Sequence, residues 1–447
     1  MEIRDTRYAK TPDGVYIAYQ TVGEGPDFVW QFDHTGDVDL MWEQPSYHAF
    51  WRGLSGSFRV ILHDRRGTGL SSRNVPPPNL ETRVSDLRVV LDEVGADRPV
   101  LAGGAEGGTP NVLFAATHPE RVRALVWFDP LPRVVTPDFR WGVKPDYEGR
   151  EERALELWGT NAYGEAWADT EATGGSTEYE QDARVIGMLS RHTTTPDVAR
   201  ELFRIWHETD VQGVLHSVQV PTLLLGRTMY PEDVAQAEHV ATLMPDAVVA
   251  PVVGDYVPED MEPILDTIRE FLGVTRPPPE LGTVLSTVLF TDIVGSTERQ
   301  AGLGDRAWRD LVLRHHAIVR EGLERWRGVE NGTAGDGFYA TFDGPARAIR
   351  CAEEVVEAVR TLGIEIRAGV HTGECELIEG KPGGLTVSIG ARVAARAGAS
   401  EVLVSQTVKD LVAGSGLTFE DAGEHELKGV PDRWRLYRVV GSSGIRT

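Results

Sequence analysis

Two cysteines, Cys351 and Cys375, stand in 447 residues, too few for a disulfide framework, so both thiols are expected to be reduced. Positive charge is also short: 45 Lys and Arg face 68 Asp and Glu, a formal net charge of −23. A chain this acidic offers no basic groove, which argues against nucleic acid or an anionic membrane surface as its main partner. Long apolar runs are lacking too. Even VRALVWF is preceded by HPER and followed by Asp129, whereas about 18 apolar residues are needed to cross a bilayer. The opening MEIRDTRYAKTPDG has no apolar signal-peptide core, and a cytoplasmic protein is expected. What remains, 41% hydrophobic and 25% charged, is globular composition in a length that allows two or three domains of about 150 residues.

Residues 1–274 read as one domain. The runs GVYIAYQTV, DFVWQF, FRVILHD, PVLAGG, VRALVWF, PTLLLG and AVVAPVV alternate with helical patterns, for example Val84, Leu87, Leu91 and Val94. Short β-rich runs with amphipathic connectors imply the α/β class: a mainly parallel sheet covered by helices. From about 133 to 216 the β runs stop and Trp141, Trp158, Trp167 and Trp206 appear, which reads as a helical cap. Those tryptophans either pack the cap onto the sheet or face a small apolar ligand. Residues 275–283, opening TRPPPE, are a stiff proline-rich linker. Residues 284–447 carry a second pattern: strand VLSTVLF, a helix over about 298–327, a hairpin at 332–337, a helix over 345–361, strands IEIRAGV and ECELI, a helix over 385–397 and strand EVLVS. Trp308, Leu311, His315, Ile318, Leu323 and Trp326 recur at helical spacing and are expected in the core.

The runs HDRRGTGLSS and VLAGGAEGGTPNVLFAATHPERVRALV resemble the α/β-hydrolase fold. In that family a sharp G-x-S-x-G turn lifts a nucleophile above the sheet, a His activates it and an acid orients the His. Taking the elbow as Gly104-Ala105-Glu106-Gly107-Gly108 puts Glu106 at the nucleophile position, with Met229 at the acid and Tyr256 at the histidine. A carboxylate nucleophile without its His has no deacylation route. His34, Glu232 and Asp233 are the residues open to recruitment. The resemblance therefore implies a non-catalytic scaffold, serving as a regulatory or ligand-sensing module.

In the second half, Asp292 ends an apolar strand, and Gly295, Ser296 and Thr297 lead into a helix. Thr297 with Gln300 is a capping-box pattern, and a helix start of this kind suits a triphosphate. NGTAGDGFYATF puts Asp336 in a glycine hairpin. FTDIVGST, GDGF, HTGE, IGAR and ELKGV, in that order, resemble the class III adenylyl/guanylyl cyclase catalytic domain, an α+β, ferredoxin-like fold. The resemblance implies conversion of ATP to 3′,5′-cyclic AMP and pyrophosphate, with two Mg²⁺ or Mn²⁺ ions on Asp292 and Asp336. Arg392 matches the arginine that stabilises the transition state, and Lys428 the lysine that holds the terminal phosphates. In that family these cations come from the partner chain, so the resemblance also implies a head-to-tail homodimer. Three positions depart from the family. Ser388 stands where the transition-state Asn is expected, and Gly332 and Lys381 occupy the base-reading positions, with Asn331 a candidate substitute. Relaxed choice between ATP and GTP follows, and the alternative is a pseudo-cyclase that binds nucleotide with negligible turnover. His371 and Cys375 stay outside the site.

Overall fold

A computed structural model describes residues 5–33, 36–133, 152–153, 155–167, 177–228, 231–253, 261–273, 283–378 and 381–442. The chain divides into two compact units, Met1–Glu280 and Leu281–Thr447. Among the described residues, no helix is long and apolar enough to cross a membrane.

The first unit is built on strands β1 Arg7–Lys10, β2 Tyr16–Val22, β3 Asp27–Gln31, β4 Arg59–His63, β5 Val100–Gly104, β6 Ala124–Phe128, β7 Thr222–Arg227 and β8 Ala247–Val252. They form one sheet in the order β1-β2-β4-β3-β5-β6-β7-β8, parallel from β4 to β8 and antiparallel at the β1-β2-β4 edge. The seven apolar runs are β2 to β8; the run RYAK of β1, polar and at the edge, carries no apolar signal. On one face the helix Pro45–Ser55 lays Phe50 and Trp51 against Trp30, with ring centroids 5.5 and 5.1 Å away, and Phe128 closes the cluster. The described part of the cap is helical: Asn161–Trp167, Thr177–Thr193 and Pro196–Glu208. Trp158, Tyr163, Phe203 and Trp206 are buried together in a small core within the cap. Trp141 and the side chain of Trp167 lie outside the described residues. The corner at Thr193 and Thr194 is fastened to the loop after β4: Gly69 N–H donates to the Thr193 carbonyl at 2.9 Å, and Thr194 Oγ1 to the Gly67 carbonyl at 3.3 Å.

The second unit contains β9 Thr283–Ile293, β10 Val329–Ala334, β11 Gly337–Phe342, β12 Ile366–Ile378, β13 Lys381–Gly383, β14 Val402–Ser405, β15 Leu417–Glu426 and β16 Arg433–Ser442. Its sheet runs β10-β11-β9-β12-β14-β16-β15, with β13 paired to β12. Three expectations are corrected. The helix expected over 298–327 is two, Ser296–Leu303 and Asp305–Trp326, separated at Gly304, whose φ of 76° no right-handed helix tolerates. IEIRAGV and ECELI are one continuous strand, β12. There Gly369 serves close packing instead of a turn: a Cβ on it would lie 2.1 Å from the Ala394 nitrogen, so glycine admits the helix Leu385–Arg396 onto the strand. The capping box fails as well, since Gly295 is the N-cap at φ 67° with no side-chain cap, leaving Thr297 exposed inside the first turn. The apolar stripe behaves as core, with His315 fully buried beside Leu311 and Leu323.

Candidate functional site

The second unit brings its two candidate carboxylates to one end of the sheet. Asp292 is the second-last residue of β9, and Asp336 occupies the β10–β11 turn behind Gly335, whose φ is 65°. Hydrogen bonds fix Asp336: its Oδ2 accepts from the Ile293 N–H at 3.1 Å, and the Ser296 hydroxyl bonds the same carboxylate. Burial and the nearby Asp292 charge push the Asp336 carboxyl upward against those bonds. Asp292 faces Arg367 across the β9–β12 register, with Nη2 to Oδ2 at 2.6 Å. His316 Nε2 lies 3.1 Å from the Gly335 carbonyl and must be the donor, because a carbonyl only accepts.

A cavity of about 450 Å³ opens beside these groups, lined by Phe290, Asp292, Gly332, Tyr339 and Arg367 among others. Phe290 and Tyr339 stack in parallel at 4.8 Å, and the Tyr339 hydroxyl donates to the Pro382 carbonyl at 2.7 Å. A Cβ at Gly332 would meet nothing within 4 Å, so this position is open space. Asn331 is not available as a base reader: a bulge turns its amide to the Val329 carbonyl and the Thr341 hydroxyl, at 3.0 and 2.7 Å. The Lys381 backbone belongs to β13, and its side chain lies outside the described residues.

Ser388 and Arg392 share an exposed face of the helix Leu385–Arg396, one turn apart. Neither lines the Asp292 cavity. Instead Arg392 Nε donates to the Lys428 carbonyl at 3.1 Å, and Arg396, one turn further on, donates to the Glu426 carbonyl. These two arginines hold the turn that presents Lys428 over a second cavity of about 570 Å³, walled by Arg396, Lys428 and Arg433. The chain thus separates its carboxylates from this cationic group. Arg367, His316 and Arg396 were not singled out from the sequence. Only strand register and helix approach reveal them, although Arg396 follows Arg392 at i+4.

In the first unit the elbow is displaced by one residue from its expected place. β5 ends at Gly104, and the left-handed residue of the turn is Ala105 at φ 40°. The frame is therefore Gly103-Gly104-Ala105-Glu106-Gly107: alanine stands at the apex, and Glu106 is the next residue. The close packing agrees, because a Cβ on Gly103 would come within 2.8 Å of the Gly107 backbone. Glu106 points into the protein, between Arg65 and Arg83. His34, Met229 and Tyr256 lie outside the described residues.

At the ends of β6 and β7, Arg227 stands between Asp129, at 3.2 Å, and Asp233, at 3.0 Å. Burial first, then the Asp129 charge, raises the Asp233 carboxyl to about 7. Its folded value exceeds the unfolded one near 4, so the folded state holds the proton more tightly. That stability is complete below about pH 4 and is lost as pH rises through 7. We expect unfolding free energy to fall by on the order of 3–4 kcal/mol over this window through Asp233, and the slope to flatten in Asp233→Asn. Denaturant titrations of both proteins from pH 4.5 to 7.5 check it; parallel pH profiles would refute it.

Residues 39–227 match the family model described as alpha/beta hydrolase fold, and residues 283–441 the one described as adenylate and guanylate cyclase catalytic domain. RutD of Azorhizobium caulinodans, which carries a carbamate-hydrolase name, is 33% identical over 111 residues, 21% of this chain and 42% of its own length. An uncharacterized protein of Mycobacterium tuberculosis is 33% identical over 166 residues, 36% of this chain and 56% of its own. The chain thus spans about half or less of the length of these relatives. Among solved structures, the adenylyl cyclase CyaB of P. aeruginosa is 22% identical, with a TM-score of 0.34 over 36% of this chain and 97% of that one. An alpha/beta hydrolase of Sphaerobacter thermophilus is 21% identical, with a TM-score of 0.43 over 59% and 99%. The chain therefore joins an α/β-hydrolase fold domain to a catalytic domain of the class III adenylate and guanylate cyclase family.

Proposed function

We propose that the protein is a homodimeric cyclase that converts ATP, and with weak discrimination GTP, to the 3′,5′-cyclic nucleotide and pyrophosphate. The observation that carries this reading is the convergence of Asp292 and Asp336 beside an open cavity. In the reaction the ribose 3′-oxygen forms a bond to the α-phosphorus, the bond from the α-phosphorus to the α–β bridging oxygen breaks so that pyrophosphate leaves, and the 3′-hydroxyl proton passes to solvent water. Asp292 and Asp336 fit divalent cations. Their charges repel each other, and among the described residues no third His, Cys, Asp or Glu joins them, which suits Mg²⁺ or Mn²⁺ completed by water and phosphate oxygens. When bound, such ions polarise the α-phosphate and acidify the 3′-hydroxyl. Gly295 and Ser296 turn the chain into the helix beside Asp336 and would lie beneath the phosphates, while Thr297 stays on the exposed side of the first turn. Arg392 would meet charge developing on the transferring phosphoryl group, and Lys428 would hold the departing pyrophosphate. Since these cations lie apart from the carboxylates within one chain, a second copy would supply them in a head-to-tail dimer.

Ser388 favours the rival reading of a nucleotide-binding sensor, for its short exposed side chain lies 3.5 Å from its own helix's Gly384 carbonyl. Incubation of the full chain with ATP or GTP and either metal, with cyclic product measured by chromatography, decides between them. Binding without product would leave the sensor.

Base choice gives a sharper test. Gly332 offers no side chain to the purine and stands in open space, so lysine fits there. Gly332→Lys with Lys381→Asp is expected to raise the ATP over GTP ratio of kcat/KM by at least about tenfold, because a buried polar pair penalises the base it cannot match. Strong ATP selectivity in the unmodified chain would show that other residues read the base.

The hydrolase-fold unit is proposed to be non-hydrolytic and to act as a sensing module. Alanine at the elbow apex supplies no nucleophile, and Glu106 is engaged by two arginines. Nitrophenyl ester turnover should stay at background, in the unmodified chain and in Ala105→Ser alike. Hydrolysis that disappears in Glu106→Gln would overturn this.

A further inference from the structure

Glu106 lies at the C-terminal end of β5, on the side of the sheet where α/β folds hold their ligands. Its Oε2 accepts from Arg65 Nη2 at 2.7 Å, and its Oε1 accepts from Arg83 Nη1. All three side chains are more than nine-tenths buried: 4% of Glu106, 7% of Arg65 and 6% of Arg83 remain exposed. Two guanidinium charges thus share one carboxylate. Asp33 attracts Arg83 only more weakly than Glu106 does. Burial, then repulsion from Arg65, lowers Arg83 to about 10, as expected where cations outnumber anions in contact with them. Donors are also left over. Among the described residues, Arg65 Nε and Arg83 Nη2 have no hydrogen-bond partner. Burial of unmatched donors and an excess charge is costly, and a surrounding that accepts it generally supplies the missing acceptor. Arg65 belongs to the loop that the cap corner holds through Thr193 and Thr194.

We propose that Arg65 and Arg83, with Glu106 between them, form the binding site of a small ligand bearing an oxyanion, a carboxylate or a phosphate. The guanidinium forks grip its oxygens, and the ligand is bound without covalent chemistry. Glu106 sets the affinity by competing for the same two cations. This site belongs to the first unit and does not depend on cyclase turnover.

The test is calorimetric titration of the full chain with sodium acetate, sodium octanoate and inorganic phosphate, against chloride at constant ionic strength. One probe class is expected to bind once per chain with Kd below about 1 mM, acetate and octanoate pointing to a carboxylate ligand and phosphate to a phosphate. Arg83→Gln should weaken binding at least about tenfold, whereas Glu106→Gln should tighten it several-fold, since it removes the competing charge. If Arg83→Gln does not fold, Glu106→Gln decides alone. No saturable binding by any probe, or weaker or unchanged binding in Glu106→Gln, would reduce the cluster to an internal ion triad and overturn the proposal.

Discussion

Asp336→Asn in the full chain is expected to lower cyclic nucleotide formation by about 10³-fold or more while leaving thermal stability nearly unchanged. Asparagine keeps the shape of the side chain and an oxygen to accept from the Ile293 N–H, so the β10–β11 turn should survive. What it loses is charge. With one carboxylate left, the metal ions that neutralise a triphosphate are held poorly, and losing several kcal/mol of transition-state stabilisation costs about a factor of ten per 1.4 kcal/mol. Asp292→Ala should be equally inactive but less innocent, since it leaves the Arg367 guanidinium without its 2.6 Å partner. A lower melting temperature for Asp292→Ala than for Asp336→Asn, with both inactive, is the expected pattern. Turnover within tenfold of the unmodified protein in Asp336→Asn would remove this carboxylate from the mechanism.

The sequence carried the fold where burial writes a simple pattern. β3, β5, β6 and β7 have parallel neighbours on both sides, so both faces are apolar and the run is continuous, as in VRALVWF. It was silent at the edge strands β1 and β15. β15, LTFEDAGEHE, alternates exposed charges that pair with Arg433, Arg435 and Arg438 across the sheet, and no apolar signal marks it. Glycine plays two opposite parts here: Gly369 and Gly373 serve close packing inside β12, whereas Gly304, inside an amphipathic stretch, ends a helix. The elbow shows the same limit on a finer scale. GGAEGG contains two overlapping G-x-x-x-G frames, and only the left-handed φ at Ala105 selects between them. For the cyclase half, Asp292 and Asp336 were singled out by the order of the motifs FTDIVGST and GDGF, and strand register places them at one end of the sheet. Arg367 and His316 were hidden because strand register brings Arg367 to Asp292 across 75 residues, and helix packing brings His316 to the Gly335 carbonyl, next to Asp336, across 19.

Mixing two inactive variants should restore activity. Asp336→Asn removes a carboxylate, and Arg392→Ala removes a cation that does not line the Asp292 cavity of its own chain and instead braces the Lys428 turn. If each site takes carboxylates from one copy and cations from the other, a heterodimer of the two variants contains one site with both defects and one with neither. Random exchange of equal amounts makes about half of all dimers heterodimeric, each with one good site of two, so about a quarter of normal activity should return. Each variant alone should stay near background, because loss of an interaction made in the transition state falls on kcat. Arg392→Ala also loosens the turn at Lys428, so Arg392→Lys, which keeps a charge but not the fork, should recover less than the mixture does. Subunit exchange is verified with differently tagged copies, and activity is followed as the ratio of variants is changed. A maximum at equal amounts is the expected outcome. A mixture that stays at background after exchange has been demonstrated would mean that carboxylates and cations act within one chain, and the separation of Asp292 from Arg392 would then have to close by rearrangement of the helix Leu385–Arg396.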